Sequence, residues 1–343
     1  RSIACHRCGI MKKAMDDLLQ CAAGQKASDL HVSEHTPPMI RVAGQLRPLP
    51  PDKDREQYNL AAMIEELLSG TQQQELKEKG QCDFAYAMSD GSRFRFNVYR
   101  SSGNLTAAIR LIPGKIVSCQ ELGLPESIRN FAYLKDGLVL VTGATGSGKS
   151  TTLAAVIQEI NLHRACHILT LEDPIEYRFA PVKSLLHQRE IGRDTASFPE
   201  GLRAALRQDP DVIMVGEMRD TETMTVAVTA AETGHLVFAT LHTRSAVETV
   251  DRIIDSFPEQ KQKQIRTQLA ESLQAIVSQQ LLSGKEGGLV AAVEVMHLTP
   301  AIRNLIRKGE TGQMYSYIQT GAQYGMQTME SAVNRLKKEG KIE

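Results

Sequence analysis

LVLVTGATGSGKST, residues 138–151, decides the fold. An apolar, strand-like run enters a glycine-rich turn, and the turn enters a helix-compatible stretch. Gly143-Ala144-Thr145-Gly146-Ser147-Gly148-Lys149-Ser150 satisfies the phosphate-loop pattern G-x-x-x-x-G-K-[ST] at every required position. The glycines let backbone N–H groups turn inward around phosphate oxygens. Lys149 is placed to reach the β- and γ-phosphates of ATP and Ser150 to ligate Mg²⁺. Gly143, Thr145, Gly146, Ser147, Gly148 and Thr151 complete the cradle. The helix from Lys149 directs its positive end at the anion.

Outward from this loop, apolar runs alternate with helical stretches: HILTLED, DVIMVGE, HLVFATLH and LVAAVEVM. Runs apolar on both faces suit a buried parallel sheet. The alternation predicts a doubly wound α/β domain. Its last stretch, 258–343, reads as mostly helical. Upstream the texture differs. MKKAMDDLLQCAAGQ reads as a helix stopped at Gly24, and NLAAMIEELLSG as an amphipathic helix ended by Gly70. SDLHVS and PPMIRVAGQLRPLP read as strands, the second folding back at Ala43-Gly44. FAYAM and RFRFNVYR flank Ser89-Asp90-Gly91-Ser92 as a hairpin, and LTAAIRLI closes the set. Residues 11–112 therefore form a small α+β domain, 113–120 a connection, and 121–343 the loop-bearing domain. Residues 1–10 read as a disordered or extraneous tail, with Met11 a better start for the first helix.

The chain has 343 residues, enough for two domains, with 40 Lys+Arg against 40 Asp+Glu. That balance, with 5% aromatic residues and no Trp, offers little for backbone attraction or base stacking and argues against a nucleic-acid partner. No window approaches the ~20 apolar residues that span a bilayer. RSIACHRCGIMKK lacks the apolar core of a signal peptide, so a cytosolic chain with reduced cysteines is expected. Cys5 and Cys8 have zinc-ligand spacing, but no second pair follows to complete a tetrahedral set.

Further chemistry gathers at strand ends. Asp211–Gly216 reads as a strand ending at Glu217, whose reach suits it to orient or deprotonate the attacking water and to share the metal. Glu172, Asp173 and Glu176 crowd the end of another strand and repel one another unless a cation is near. Glu172 is the candidate partner of the Mg²⁺ water shell, and Glu176 reads equally as a surface residue. His235 and His242 bracket HLVFATLH and stand at opposite ends of it. His242 is a candidate γ-phosphate sensor, and His235 a candidate catalytic or structural group. Arg203, Arg207 and Arg219, with Arg95 and Arg110 of the first domain, are candidates to stabilise phosphoryl charge across a subunit contact. Arg203 and Arg207 read equally as salt-bridge partners on a helix face.

GATGSGKST, ILTLEDPIEY, RQDPDVIMVGEMRD and TGHLVFATLHT, in that order, resemble the secretion-ATPase superfamily: the motors of type II secretion, type IV pili and type IV secretion. The four stretches look like its Walker A, Asp box, Walker B and His box, and the similarity runs over nearly the whole chain from Met11. Ala301-Ile302-Arg303-Asn304-Leu305-Ile306-Arg307 is similar to the signature of the pilus-retraction branch. Thr299 suits its N-cap, Pro300 its first position and Gly309 its end, with Ile302, Leu305 and Ile306 inward and Arg303 and Arg307 as a basic pair. GAT stands where GPT is commoner, and relatives run on past KKEGKIE.

The resemblance implies a PAS-like domain joined to a RecA-like ATPase domain and a ring of six copies, with ATP near a neighbouring subunit and 112–120 as a hinge. Its implied partners are a platform protein of the inner membrane and a paralogous retraction ATPase. The chain would work at the cytoplasmic face of that membrane. An extension or secretion motor and a RecA-like nucleic-acid translocase are the alternatives.

Overall fold

The computed structural model describes residues 2–34, 36–42, 44–50, 59–112 and 114–343. The chain divides into two compact units, Arg1–Gly114 and Lys115–Glu343. Ala43, within the expected fold-back, and Pro113, within the expected connection, lie outside the described residues, as do the side chains of Cys5 and Cys8.

The first unit contains α1 (Ser2–Gly24), β1 (Asp29–Ser33), β2 (Thr36–Val42), β3 (Gln45–Pro48), α2 (Leu60–Leu67), α3 (Gly70–Lys79), β4 (Gln81–Ala87), β5 (Arg93–Ser101) and β6 (Asn104–Ile112). Its six strands run in the order β3-β2-β1-β6-β5-β4, and every neighbouring pair is antiparallel. Alternation decides which face is buried. Along β5, Phe94, Phe96 and Val98 point inward, and they meet Leu30, Val32, Ala107 and Ile109 of neighbouring strands. Met15, Leu18 and Leu19 of α1 and Met63 and Ile64 of α2 close the core. Two elements differ from the sequence reading. Helix α1 reaches back to Ser2, where the sequence suggests a tail. Gly70 opens α3 instead of only ending α2, because Ser69 caps α3 in a capping box with Gln72.

The second unit contains α4 (Glu126–Arg129), β7 (Gly137–Thr142), α5 (Lys149–His163), β8 (His167–Glu172), β9 (Leu185–Glu190), α6 (Phe198–Ala205), β10 (Val212–Val215), α7 (Thr221–Glu232), β11 (Leu236–Leu241), α8 (Ala246–Asp255), α9 (Glu259–Ser272), β12 (Leu273–Ser283), β13 (Leu289–His297), α10 (Pro300–Lys308), α11 (Met314–Thr320) and α12 (Met329–Lys338). The seven strands run β13-β12-β7-β11-β10-β8-β9, and only β13 is antiparallel to its neighbour. Helices cover both faces. One core packs α6 to α11 on Leu138, Leu140, Ile213, Val237 and Ala239. The other packs α5 on Val139, Val141, Met214 and Phe238. Strands β7, β10 and β11 are buried at every residue, as central parallel strands must be.

The stretch 258–343 is mostly helical, as read, but residues 273–283 form a strand the sequence did not mark, β12, paired with both β7 and β13. The segment follows α9 directly, so no turn residue marks the change, and a short apolar run does not distinguish strand from helix. The edge strand β9 carries the mixed sequence LLHQRE, whose pattern does not announce a strand either.

Candidate nucleotide site

Strands β7, β11, β10 and β8 are parallel and level: Leu140 pairs with Ala239, Ala239 with Val215, and Val215 with Leu171. Their carboxyl ends therefore share one edge, where ligands of open α/β sheets bind. The loop 143–148 leaves this edge from β7 and enters α5.

Two glycines of the loop are sterically required. Gly143 has φ +145°, and a Cβ there would strike the Gln279 carbonyl oxygen. Gly148 has φ +87°, and a Cβ there would lie 2.7 Å from Gln279 Nε2. Gly148 also offers α5 no side-chain cap, so the first N–H groups of the helix are left for an anion. Ala144, Thr145 and Gly146 form the exposed crest of the loop. Ser150 is exposed at the start of α5, and Thr151 is hydrogen-bonded to the Tyr177 hydroxyl at 2.8 Å. Ser147 is buried.

The Lys149 ammonium donates to the carbonyl oxygens of Gly143 (2.7 Å) and Ala144 (2.9 Å). Burial pulls its pKa down, while the negative charges of Glu217 and Glu176 pull it up. The two carboxylates are thus electrostatic neighbours of the lysine that would meet the phosphates.

Glu217 sits just past β10. Its Oε1 lies 2.7 Å from the Arg219 guanidinium and its Oε2 lies 3.5 Å from His242 Nε2. The turn beneath it is fixed by Gly216 N–H on the Leu171 carbonyl (2.8 Å) and Met218 N–H on the Thr240 carbonyl (3.0 Å). A Cβ at Gly216 would lie a tight 3.1 Å from the Leu171 oxygen, so a larger residue there would press β10 against β8.

Glu172 occupies a different setting. It is 7% exposed, and its Oε1 accepts from the Thr170 hydroxyl (2.6 Å) and the Gln188 amide (3.1 Å). Burial pushes its pKa up. Glu172 is therefore tied into the β8–β9 layer, and Glu176, which reads from sequence equally as a surface residue, is the carboxylate of this segment whose charge acts on Lys149. His235 stands at the opposite end of β11, its Nδ1 3.0 Å from the Ala230 carbonyl, and is not brought to the loop.

The arginines scatter. Arg219 joins Glu217. Arg203 pairs with Glu222 on α7, and Arg207 lies exposed beyond the end of α6, so the two do not share a helix face. In the first unit, Arg95 lies 3.8 Å from Asp83 and Arg110 lies 3.0 Å from Asp29. The helix α10 is capped by Thr299 and Gly309, and buries Ile302, Leu305 and Ile306 while Ala301 is half-buried and Asn304 exposed. Arg303 is not a free cation: it donates to the carbonyls of Ala270 and Glu271 and to Gln274 Oε1. It thus caps the carboxyl end of α9. Arg307 lies 3.7 Å from Glu271 and stays exposed.

Gln279 of β12 is the residue the sequence did not suggest. It is 4% exposed, accepts from the Thr152 hydroxyl (2.7 Å) and donates to the Ser147 carbonyl (2.8 Å), so it bolts the loop to the strand beside β7. Beside it, Leu122, Leu124, Leu281, Leu289 and Thr151 line a hollow of about 260 Å³.

A phosphate-binding loop on a parallel sheet, with a buttressed glutamate at the same edge, defines a P-loop ATPase. The chain belongs to the type II/IV secretion system protein family, whose model matches residues 6–287. It is 48% identical over 328 residues to the Pseudomonas aeruginosa type IV pilus retraction ATPase PilT, covering 95% of this chain and 94% of that one. It is 46% identical over 307 residues to a Neisseria gonorrhoeae twitching motility protein, covering 89% and 82%. Among solved structures, the pilus retraction motor PilT with bound ADP superposes with a TM-score of 0.84 at 44% identity, covering 95% of this chain and 94% of that one.

Proposed function

We propose that this chain is the ATP-hydrolysing subunit of a hexameric motor that retracts type IV pili. The observation that carries the reading is the 48% identity to a pilus retraction ATPase over 95% of the chain. The site geometry supports hydrolysis. ATP phosphates settle on the loop amides, and Lys149 exchanges the carbonyls of Gly143 and Ala144 for phosphate oxygens. The hollow beside Thr151 receives the base. Ser150, with Glu217 and Glu176 near Lys149, makes a hydroxyl-and-carboxylate set that would hold Mg²⁺. The ion would supply positive charge against the transferring phosphoryl group. Glu217, held by Arg219 and His242, aligns the attacking water and takes its proton. His242 is close enough to Glu217 to report the γ-phosphate to α8. Arg219, in contact with Glu217, is the candidate to meet phosphoryl charge within this subunit.

Among the described residues, no helix is long and apolar enough to cross a membrane. In this reading the motor acts from the cytoplasmic face, through a platform protein of the inner membrane and beside a paralogous retraction ATPase, without nucleic acid. Complementation tests it: the chain is expressed in a piliated strain lacking its retraction ATPase, and pili are imaged. Retraction restored by the wild type and lost with Glu217→Ala is expected. An ATP-hydrolysing ring that restores extension, secretion or DNA-stimulated turnover instead would overturn it.

A further inference from the structure

The sheet of the second unit ends at β9, four places from the loop strand β7. The Leu185 N–H bonds the Cys166 carbonyl and the Ile191 N–H bonds the Glu172 carbonyl, so the odd residues of β9 serve the ladder to β8. In a parallel pair the even residues then turn their N–H and C=O outward. No backbone partner for Leu186 or Gln188 on that side occurs among the described residues. Leu185 is 55% exposed. At Glu190 the outward N–H is taken by the Asp194 carboxylate and the C=O by the N–H groups of 193–195, so the open edge, with backbone donors and acceptors to offer, runs over Leu186 and Gln188.

Along the same edge runs a groove of about 840 Å³, lined by His167, His187, Arg178, Arg189, Leu185 and Asp209 among others. Two bonds order it: His167 Nδ1–H donates to the Asp209 carbonyl at 2.9 Å, and His167 Nε2 shares a hydrogen bond with His187 Nδ1, also at 2.9 Å. Asp211 accepts the His167 N–H at 2.8 Å and is not among the residues that line the groove. The two arginines are underused. Arg189 spends one Nη on the Asp194 carbonyl, and its other Nη is buried without a partner among the described residues. Arg178 is exposed and has no ion pair among the described residues. Two guanidiniums against the single Asp209 carboxylate make the groove cationic.

We propose that the β9 edge is a docking site for an acidic, extended segment of a partner protein, which adds to the sheet as a further strand. The open backbone dictates an extended guest. The guanidiniums dictate carboxylates, and Arg189 and His187 share one face of β9, so the acids fall at every second guest position. The groove stands apart from the nucleotide loop, so this docking does not rest on the retraction reading.

The test uses fluorescence anisotropy of the full chain with a labelled peptide of alternating Glu and Val, a Lys-Val counterpart, and a Glu-Val peptide methylated at alternate backbone nitrogens. Binding of the Glu-Val peptide is expected, weakened by salt, with the Lys-Val peptide and the Arg178→Glu variant each about tenfold or more weaker. Methylation should abolish binding through lost strand hydrogen bonds. Leu186→Pro, which removes an outward N–H without touching the ladder, should do the same. Thermal melting and ATPase rate should be unchanged in Arg178→Glu. No binding, equal binding of acidic and basic peptides, or indifference to Arg178→Glu or to methylation overturns the proposal. So does an Arg178→Glu chain that loses its oligomer while no peptide binds, since the edge would then be a contact between copies.

Discussion

Glu217 and Gln279 act on the nucleotide in separable ways. Glu217 touches the reaction through its carboxylate, fixed by Arg219 at 2.7 Å. Glu217→Gln keeps the shape and removes the base, so turnover should fall by about 10²–10⁴ while nucleotide affinity, followed by a fluorescent ATP analogue, changes little. Unchanged turnover would remove Glu217 from the chemistry. Gln279 instead holds the loop and the first turn of α5 through its side-chain amide. Gln279→Leu leaves the Ser147 carbonyl and the Thr152 hydroxyl without their partner in a buried place. That should cost about 1–3 kcal/mol of stability in denaturant titrations and weaken nucleotide binding more than it slows turnover of bound ATP. Equal affinity in the variant would show that the loop holds its shape unaided.

At the scale of elements, α10 separates packing from charge. Arg303→Ala strips the end of α9 of a charged donor to three oxygens and should destabilise the second unit by about 2–3 kcal/mol in thermal or denaturant melts. Arg307→Ala loses only an exposed pair with Glu271 and should cost about 0–1 kcal/mol. A pilus-retraction defect from Arg307→Ala with stability and ATPase intact would make it a coupling residue; the same defect from Arg303→Ala would say only that α9 has frayed. Elements also set the limit of what the sequence could disclose. The loop, β7, β8, β10, β11 and the caps of α10 were legible because each carries its own local chemistry: required glycines, doubly buried runs, Thr299 and Gly309. Strand β12 was hidden because it follows α9 with no turn residue between and because its parallel partner β7 lies more than a hundred positions away, and Gln279 was hidden with it. Arg303 looked like half of a free basic pair because the α9 carbonyls it binds are some thirty positions away. The sequence favoured Glu172 over Glu176 for the metal because burial, which ties Glu172 into the β8–β9 layer, is a tertiary property.

Across the second unit, the nucleotide edge and the chain's end meet at Glu294. This β13 carboxylate is 4% exposed, accepts the Ala246 N–H at 2.8 Å, and also accepts from the backbone of Met329. It therefore holds the first residue of α8, just past His242, against the first residue of α12. Burial pushes its pKa up from 4.5, more strongly than the two backbone N–H groups pull it down. The native state then holds a proton that the unfolded state has released, between pH 4.5 and the raised native value. More protons bound in the native state means that unfolding free energy falls as pH rises through that window, the reverse of a salt-bridged carboxylate. Glu172, also raised by burial, adds to the same slope. Denaturant titrations from about pH 4 to about pH 8 should show the wild type losing stability relative to Glu294→Gln as pH rises. The offset between the two at low pH reports the altered acceptor, and the slope reports the titration. Parallel curves would mean that Glu294 keeps one charge state throughout. If the slope appears and Glu294→Gln also uncouples ATP hydrolysis from pilus movement at unchanged ATPase rate, the joint between α8 and α12 is where the nucleotide state reaches the end of the chain.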